Sequence, residues 1–198
     1  HVLNRVGMKA SYVPFCVDPD CLGEALNSLR VLKISGANVT VPYKERVIAH
    51  LDILSEGANI IGAVNTIVCK EGGLKGYNTN AIGVMDTLEK AGFKVPGCRA
   101  LVFGTGGAAR AVVFILNWLR AETIYIAGRH PEKVNVLIDH IGGQAVAVDQ
   151  FQHLVHGGVV IAGVIFDGDR RGIGELGDEV LPPQLHRVDA QLARGLVD

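Results

Sequence analysis

In the stretch G-Y-N-T-N-A-I-G, residues 76–83, three polar side chains gather immediately before a helical pattern. A carboxylate at the end of such a knot could hold a neighbouring ammonium charged or relay a proton, yet position 80 is Asn. An amide hydrogen-bonds in both directions but carries no negative charge and passes no proton. A second constellation, L-V-F-G-T-G-G-A-A-R-A at 101–111, puts glycines at 104, 106 and 107 directly after an apolar run and at the opening of a helical one. Such a turn lets backbone N–H groups approach a pyrophosphate, and the helix N-terminus adds partial positive charge and donors without helical partners. Ala109 takes the place of the third glycine of G-x-G-x-x-G, where a small residue still permits close helix–strand packing. A tight structural turn is the competing explanation.

About 20 residues beyond the loop, a dinucleotide fold offers either an acid for the ribose hydroxyl or a cation for a 2′-phosphate. Here the segment is A-G-R-H-P-E-K. Arg129 is placed to fork onto phosphate oxygens, Lys133 follows one helical turn later, and no acid stands at the strand tip, which favours NADP(H) over NAD(H). Arg129 as a solvated helix-start residue is the alternative.

The elements that must position these residues follow from hydrophobic period and punctuation. S-Y-V-P-F-C-V at 11–17 has the pattern of a strand, and Leu22, Ala25, Leu29 and Leu32 follow at helical spacing. G-A-N-V-T-V-P-Y-K predicts a short strand ended by Pro42, with a helix from there toward Leu51. A-V-N-T-I-V-C-K and G-L-K-G-Y-N read as two short strands joined by E-G-G, and Asn78 or Thr79 as the N-cap of a helix that stops at Gly92. The Pro/Gly-punctuated connector F-K-V-P-G-C at 93–98 divides a substrate-binding lobe, 1–93, from a dinucleotide-binding lobe, 94–198. Past it come strand R-A-L-V-F, glycine loop, helix to Arg120, strand T-I-Y-I-A, helix from Pro131, strand A-V-A-V and strand V-V-I-A. That alternation predicts an α/β fold with a doubly wound, Rossmann-like parallel sheet. The stretch D-G-D-R-R-G-I-G-E-L-G-D-E at 167–179 reads as a polar loop.

Bulk properties bound the function class. The 198 residues carry 19 Lys and Arg against 20 Asp and Glu, a net charge of −1, with no basic block, so neither nucleic acid nor an anionic membrane has an electrostatic counterpart here. The longest apolar run is broken by Arg110 and Asn117 and falls short of the ~20 residues a membrane span needs. Four cysteines without C-x-x-C pairs suit a reducing cytosol and give no metal site, and nothing resembles an export signal, so a cytoplasmic location is expected.

Four motifs in order carry a family likeness: G-A-N-V-T-V-P-Y-K at 36–44, G-A-V-N-T at 62–66, G-Y-N-T-N at 76–80, and G-T-G-G-A-A-R-A at 104–111 followed by G-R at 128–129. Across residues ~10–160 the chain resembles the shikimate dehydrogenase family, including its quinate/shikimate paralogues. The resemblance implies a two-lobed enzyme that reduces 3-dehydroshikimate to shikimate with NADPH, on the route to chorismate and the aromatic amino acids, as a monomer or homodimer.

Carried over position by position, it makes Lys44 the catalytic lysine, Thr40 and Asn65 binders of substrate hydroxyls, and Asn80 the counterpart of the family's N-T-D aspartate, which partners that lysine. Gly104, Thr105, Gly106, Gly107, Ala108, Arg110, Arg129 and Lys133 fall in the cofactor set. The sequence departs from the family at G-R-H, where N-R-T is usual, and lacks the N-A-T-P segment after V-V-I. The serine-bearing loop that grips the substrate carboxylate, and a later glutamine that binds substrate, have no counterpart, so both ends of a full-length member are expected to be missing.

A lone Lys in V-P-Y-K-E-R is more often a solvated helix-start side chain; the family motif reverses that reading and makes Lys44 a general acid for a reduced ketone. For Asn80 three explanations stand together: an engineered Asp→Asn change that traps complexes, a natural change in a slow or repurposed paralogue, and a capping role without chemical meaning. Asn caps helices nearly as well as Asp, so folding survives in all three.

Overall fold

The structure, a computed structural model, describes residues 2–71, 73–147 and 160–164. A short helix α1 (Val2–Arg5) precedes α2 (Leu22–Val31), whose Leu22, Leu26 and Leu29 bury one stripe at i, i+4 and i+7. The strands β1 (Gly36–Asn38), β2 (Ile53–Leu54), β3 (Thr66–Lys70) and β4 (Gly73–Tyr77) form one sheet in the order β1-β3-β4-β2. β3 pairs antiparallel with both β1 and β4, and β2 pairs parallel to β4. Leu74, Ile67, Val64, Val47 and the α2 leucines make the core beneath it.

Two further helices lead into the second sheet. Helix α3 (Glu56–Ile61) is capped by Ser55, whose hydroxyl accepts the Ala58 N–H at 3.3 Å, and ends at Gly62 in the left-handed region, φ +68°. Helix α4 (Asn80–Lys90) stops ahead of Gly92 at φ +65°. The second sheet is all parallel, in the order β7-β6-β5-β8, from β5 (Arg99–Phe103), β6 (Thr123–Ala127), β7 (Gln144–Ala145) and β8 (Val160–Val164). Helix α5 (Gly107–Trp118) joins β5 to β6, and α6 (Pro131–Ile141) leads from β6 toward β7. The chain therefore winds outward on both sides of β5, and the glycine loop leaves the C-terminal end of that strand at the topological switch point, where open α/β sheets bind ligands.

Helix α5 is buried almost all round, with Ala109, Val112, Val113, Ile115 and Leu116 packed between the sheet and its neighbouring helices. One core cluster unites Ile61, Ala63, Ala81 and Leu88 with Val102, Val113, Leu116, Ile126 and Leu137, so helix and strand residues from both sides of the 93–98 connector share an apolar interior.

Three expected elements differ. Residues 11–17 form no strand, and Tyr12, Val13 and Phe15 are exposed: an alternating pattern becomes a strand only where a ladder partner exists, and none of the described strands pairs there. After Pro42 a turn leads into a 3-10 helix at Arg46–His50 in place of an α-helix. The A-V-A-V strand reduces to Gln144–Ala145, prolonged by one ladder bond from Val146 N to Ile126 O at 3.0 Å, and its last residue lies outside the described residues. The polar stretch 167–179 also lies outside them.

Candidate functional site

The three motifs of the first lobe are stitched together through backbone bonds. Val39 N donates to Asn65 O at 2.8 Å, Val64 N to Lys44 O at 2.7 Å, and Asn65 N to Tyr77 O at 3.0 Å. The segment 63–65 thus holds the loop that carries Lys44 on one side and the end of β4 on the other.

The polar knot is built on the same segment. Asn78 is buried, donates from Nδ2 to Ala63 O at 3.0 Å and accepts the Asn80 N–H on Oδ1 at 3.1 Å, so it closes the start of α4 with its side chain. Asn65 is the hub. Its Oδ1 accepts the Thr79 backbone N–H at 2.9 Å and the Thr66 hydroxyl at 3.0 Å, and its Nδ2 donates to Asn80 Oδ1 at 2.7 Å and to Thr79 Oγ1 at 3.0 Å. Asn80 and Lys44 are half-buried, whereas Thr40 is exposed, with its carbonyl accepting the Tyr43 N–H at 3.0 Å.

The glycine loop meets this lobe directly. Gly104 sits at φ +103° and donates its N–H to Ala127 O at 2.8 Å, which fixes the loop to β6. Gly106 is the N-cap of α5, and the helix closes its first bond from Arg110 N to Gly106 O at 3.0 Å. The amides of Gly107, Ala108 and Ala109 precede that bond and have no acceptor within the helix. Gly107 is buried against Lys44: a Cβ added there would stand 3.1 Å from Ala63 Cβ and 3.2 Å from Lys44 Cδ. Only glycine fits that approach without displacing a neighbour. A glycine-lined turn with helical donors and a lysine stem alongside fits the pyrophosphate and nicotinamide of a dinucleotide.

The remaining cofactor candidates divide among three places. Thr105 and Ala108 are half-buried at the loop, and Arg129 and Lys133 are both exposed, one after β6 and the other in the first turn of α6. Arg110 lies elsewhere. It is buried, with Nε 3.5 Å from Glu45 Oε1, and faces the first lobe. Sequence reasoning named Asn78 and Thr79 only as a polar knot and candidate helix cap, and passed over Glu45 altogether. The adjacency of Glu45 to Lys44, and of the two polar residues to Asn80, was the available signal.

Comparison with known proteins adds what geometry alone does not. The family described as "Shikimate dehydrogenase substrate binding domain" matches residues 1–67. A shikimate dehydrogenase (NADP(+)) from Moorella thermoacetica is 45% identical over 137 residues, 69% of this chain and 46% of the relative. The chain belongs to the shikimate dehydrogenase family. A second member, from Methanothermobacter thermautotrophicus, is 38% identical over 83% of this chain and 58% of its own length. The crystal structure of a Thermus thermophilus shikimate 5-dehydrogenase in complex with NADP(H) and shikimate superposes with a TM-score of 0.67 at 36% identity, covering 76% of this chain and 57% of that one. The chain spans about half the length of the curated relatives it matches.

Family membership agrees with the α/β architecture and the Rossmann-like second sheet. Among the described residues no helix is long and apolar enough to cross a membrane, and no cluster of His, Cys, Asp or Glu could hold a metal ion.

Proposed function

We propose that this chain carries the catalytic cleft of an NADP-dependent shikimate dehydrogenase, with 1–93 as the substrate lobe and 94–198 as the cofactor lobe. Shikimate and 3-dehydroshikimate are the substrate pair, and the setting is chorismate biosynthesis in the cytoplasm, by a monomer or homodimer. The observation that carries it is the packing of Gly107 on the Lys44 side chain, which sets the cofactor loop beside the candidate general acid. Relatives named for NADP(+) and for shikimate, and a neighbour holding both ligands, support the assignment of substrate and cofactor.

Gly104, Gly106 and Gly107 would admit the pyrophosphate close to the α5 amides, and Arg129 with Lys133 would meet the 2′-phosphate. Bound there, NADPH supplies the hydride. Reduction of a ring ketone leaves an alkoxide, and Lys44 as an ammonium donates a hydrogen bond and then a proton to that oxygen, help worth roughly 10²–10⁴ in rate. Thr40 would orient a ring hydroxyl directly, and Asn65 would do so only by giving up one of its bonds to Thr66, Thr79 or Asn80. Asn80 can hydrogen-bond but holds no charge, so it does not supply the carboxylate that would keep Lys44 protonated and aimed.

The amide at 80 favours a second role, a shikimate- or quinate-binding protein with little turnover. Incubation of the purified protein with NADP⁺ and either acid separates the two. Growth of reduced-nicotinamide absorbance with shikimate, faster than with quinate, supports the dehydrogenase; calorimetric binding without absorbance change, in the protein and in Asn80→Asp alike, overturns it.

A further inference from the structure

The first turn of α5 touches the substrate lobe twice from one face, because positions i and i+3 of a helix lie together. Gly107 presses on Lys44, and three residues later Arg110 reaches Glu45, the residue that follows Lys44. The Arg110 side chain is only 10% exposed, and its Nε has no hydrogen-bond partner among the described residues apart from the 3.5 Å ion pair. The same guanidinium lies over Gly62: a Cβ there would stand 3.4 Å from Arg110 Nη1 and 3.2 Å from His140 Nε2. Gly62 ends α3 and leads straight into Ala63 and Val64, and Val64 N is bonded to Lys44 O at 2.7 Å.

Arg110 therefore engages both segments that hold Lys44, one through charge and the other through close packing. Burying a guanidinium is unfavourable unless something compensates it, so a position needing only bulk would be better served by an apolar side chain.

We infer that Arg110 is a positioning residue: it clamps the Lys44 loop to the start of α5, so that the ammonium and the glycine loop hold one fixed geometry. This departs from the cofactor role its place in the motif suggests. It rests on the proposed dehydrogenase reading for what Lys44 does, but the clamp itself is a structural statement with its own measurement.

Hydrogen exchange of backbone amides and NADPH titration by nicotinamide fluorescence test it together, on the whole chain with Arg110→Met, Arg110→Lys and Glu45→Gln. In Arg110→Met, exchange at Val64 should rise at least about tenfold as that segment loosens, while Leu101 and Ile126 in the second sheet stay protected. Turnover should fall about tenfold or more with the NADPH dissociation constant changed less than about twofold, since misplacing a reacting group costs rate and not cofactor affinity. Arg110→Lys should recover part of both effects, and Glu45→Gln should reproduce them in weaker form.

Unchanged exchange at Val64 overturns the clamp, as does an NADPH affinity about tenfold weaker with turnover intact at saturation, which marks a phosphate ligand. Should the unsubstituted chain show no turnover, the dehydrogenase reading fails and the exchange data alone decide the clamp. If Arg110→Met does not fold, exchange at Val64 in Arg110→Lys and Glu45→Gln decides the matter by the same criteria.

Discussion

Asn65 donates from Nδ2 to Oδ1 of Asn80 at 2.7 Å, which takes one of the two lone pairs of that oxygen, and the other half of the Asn80 side chain is an NH2 that can only donate. Toward the ammonium proposed for Lys44, that donor is the wrong polarity. Asp in this position would keep the bond from Asn65 and present a second, charged oxygen. Asn80→Asp should therefore raise shikimate turnover about tenfold or more, with melting temperature little changed because both residues suit the start of α4. Steady-state rates read it, and equal rates in the two proteins would mean that position 80 takes no part in the chemistry.

Gly107 sets how closely the start of α5 approaches Ala63 and Lys44. A valine there would drive its side chain into Ala63 and the Lys44 stem, and overpacking of this kind costs about 1–3 kcal/mol. Gly107→Val should lower stability by that order in urea and depress NADPH affinity and turnover together. A variant that melts normally and turns over normally would show that the contact between Gly107 and Lys44 is dispensable.

Arg129 follows the end of β6, and nearby His130 Nδ1 lies 3.4 Å from Glu132 Oε1. If the guanidinium meets a 2′-phosphate, Arg129→Ala should weaken NADPH binding about tenfold or more and leave NADH binding unaltered, with the loss shrinking as salt is added. Parallel titrations with both cofactors measure it. Equal losses for the two would remove the phosphate assignment.

Burial pushes the Cys98 thiol above its ordinary value, against the opposing effect of its backbone hydrogen bond. Less of it is thiolate at any given pH, and the thiolate is the nucleophile. Alkylation near pH ~8.5, where a free cysteine is about half ionised, should thus modify exposed Cys16 and Cys21 before Cys98. On raising the pH, the Cys98 rate should go on climbing beyond the range in which an ordinary thiol ionises. Peptide mass mapping of timed aliquots follows each site, and Cys98 reacting first would contradict the burial.

The second sheet was legible in the chain because R-A-L-V-F and T-I-Y-I-A are short apolar runs bounded by turn residues, and the glycines announce the loop between strand and helix. The polar knot was legible through its motif. Residues 11–17 were misjudged because periodicity describes one strand's faces and says nothing of whether a neighbour is there to pair. Helix α3 escaped notice because six residues cannot show a helical period; Ser55 and Gly62 at its ends were its only marks. Arg110 shows the limit for sites. Its place after a glycine loop suggests phosphate, and only the three-dimensional approach of Glu45 brings it to the lobe boundary.

The apolar cluster that joins Ile61, Ala63, Ala81 and Leu88 to Val102, Leu116 and Leu137 bears on how such proteins can be recombined. A chimera spliced at Pro96–Gly97, with its front half taken from one relative and its back half from another, would set four mismatched hydrocarbon shapes against a foreign partner surface. Grafts that transplant those four side chains along with α5 should yield expressible hybrids, whereas splices that follow the linker alone should precipitate.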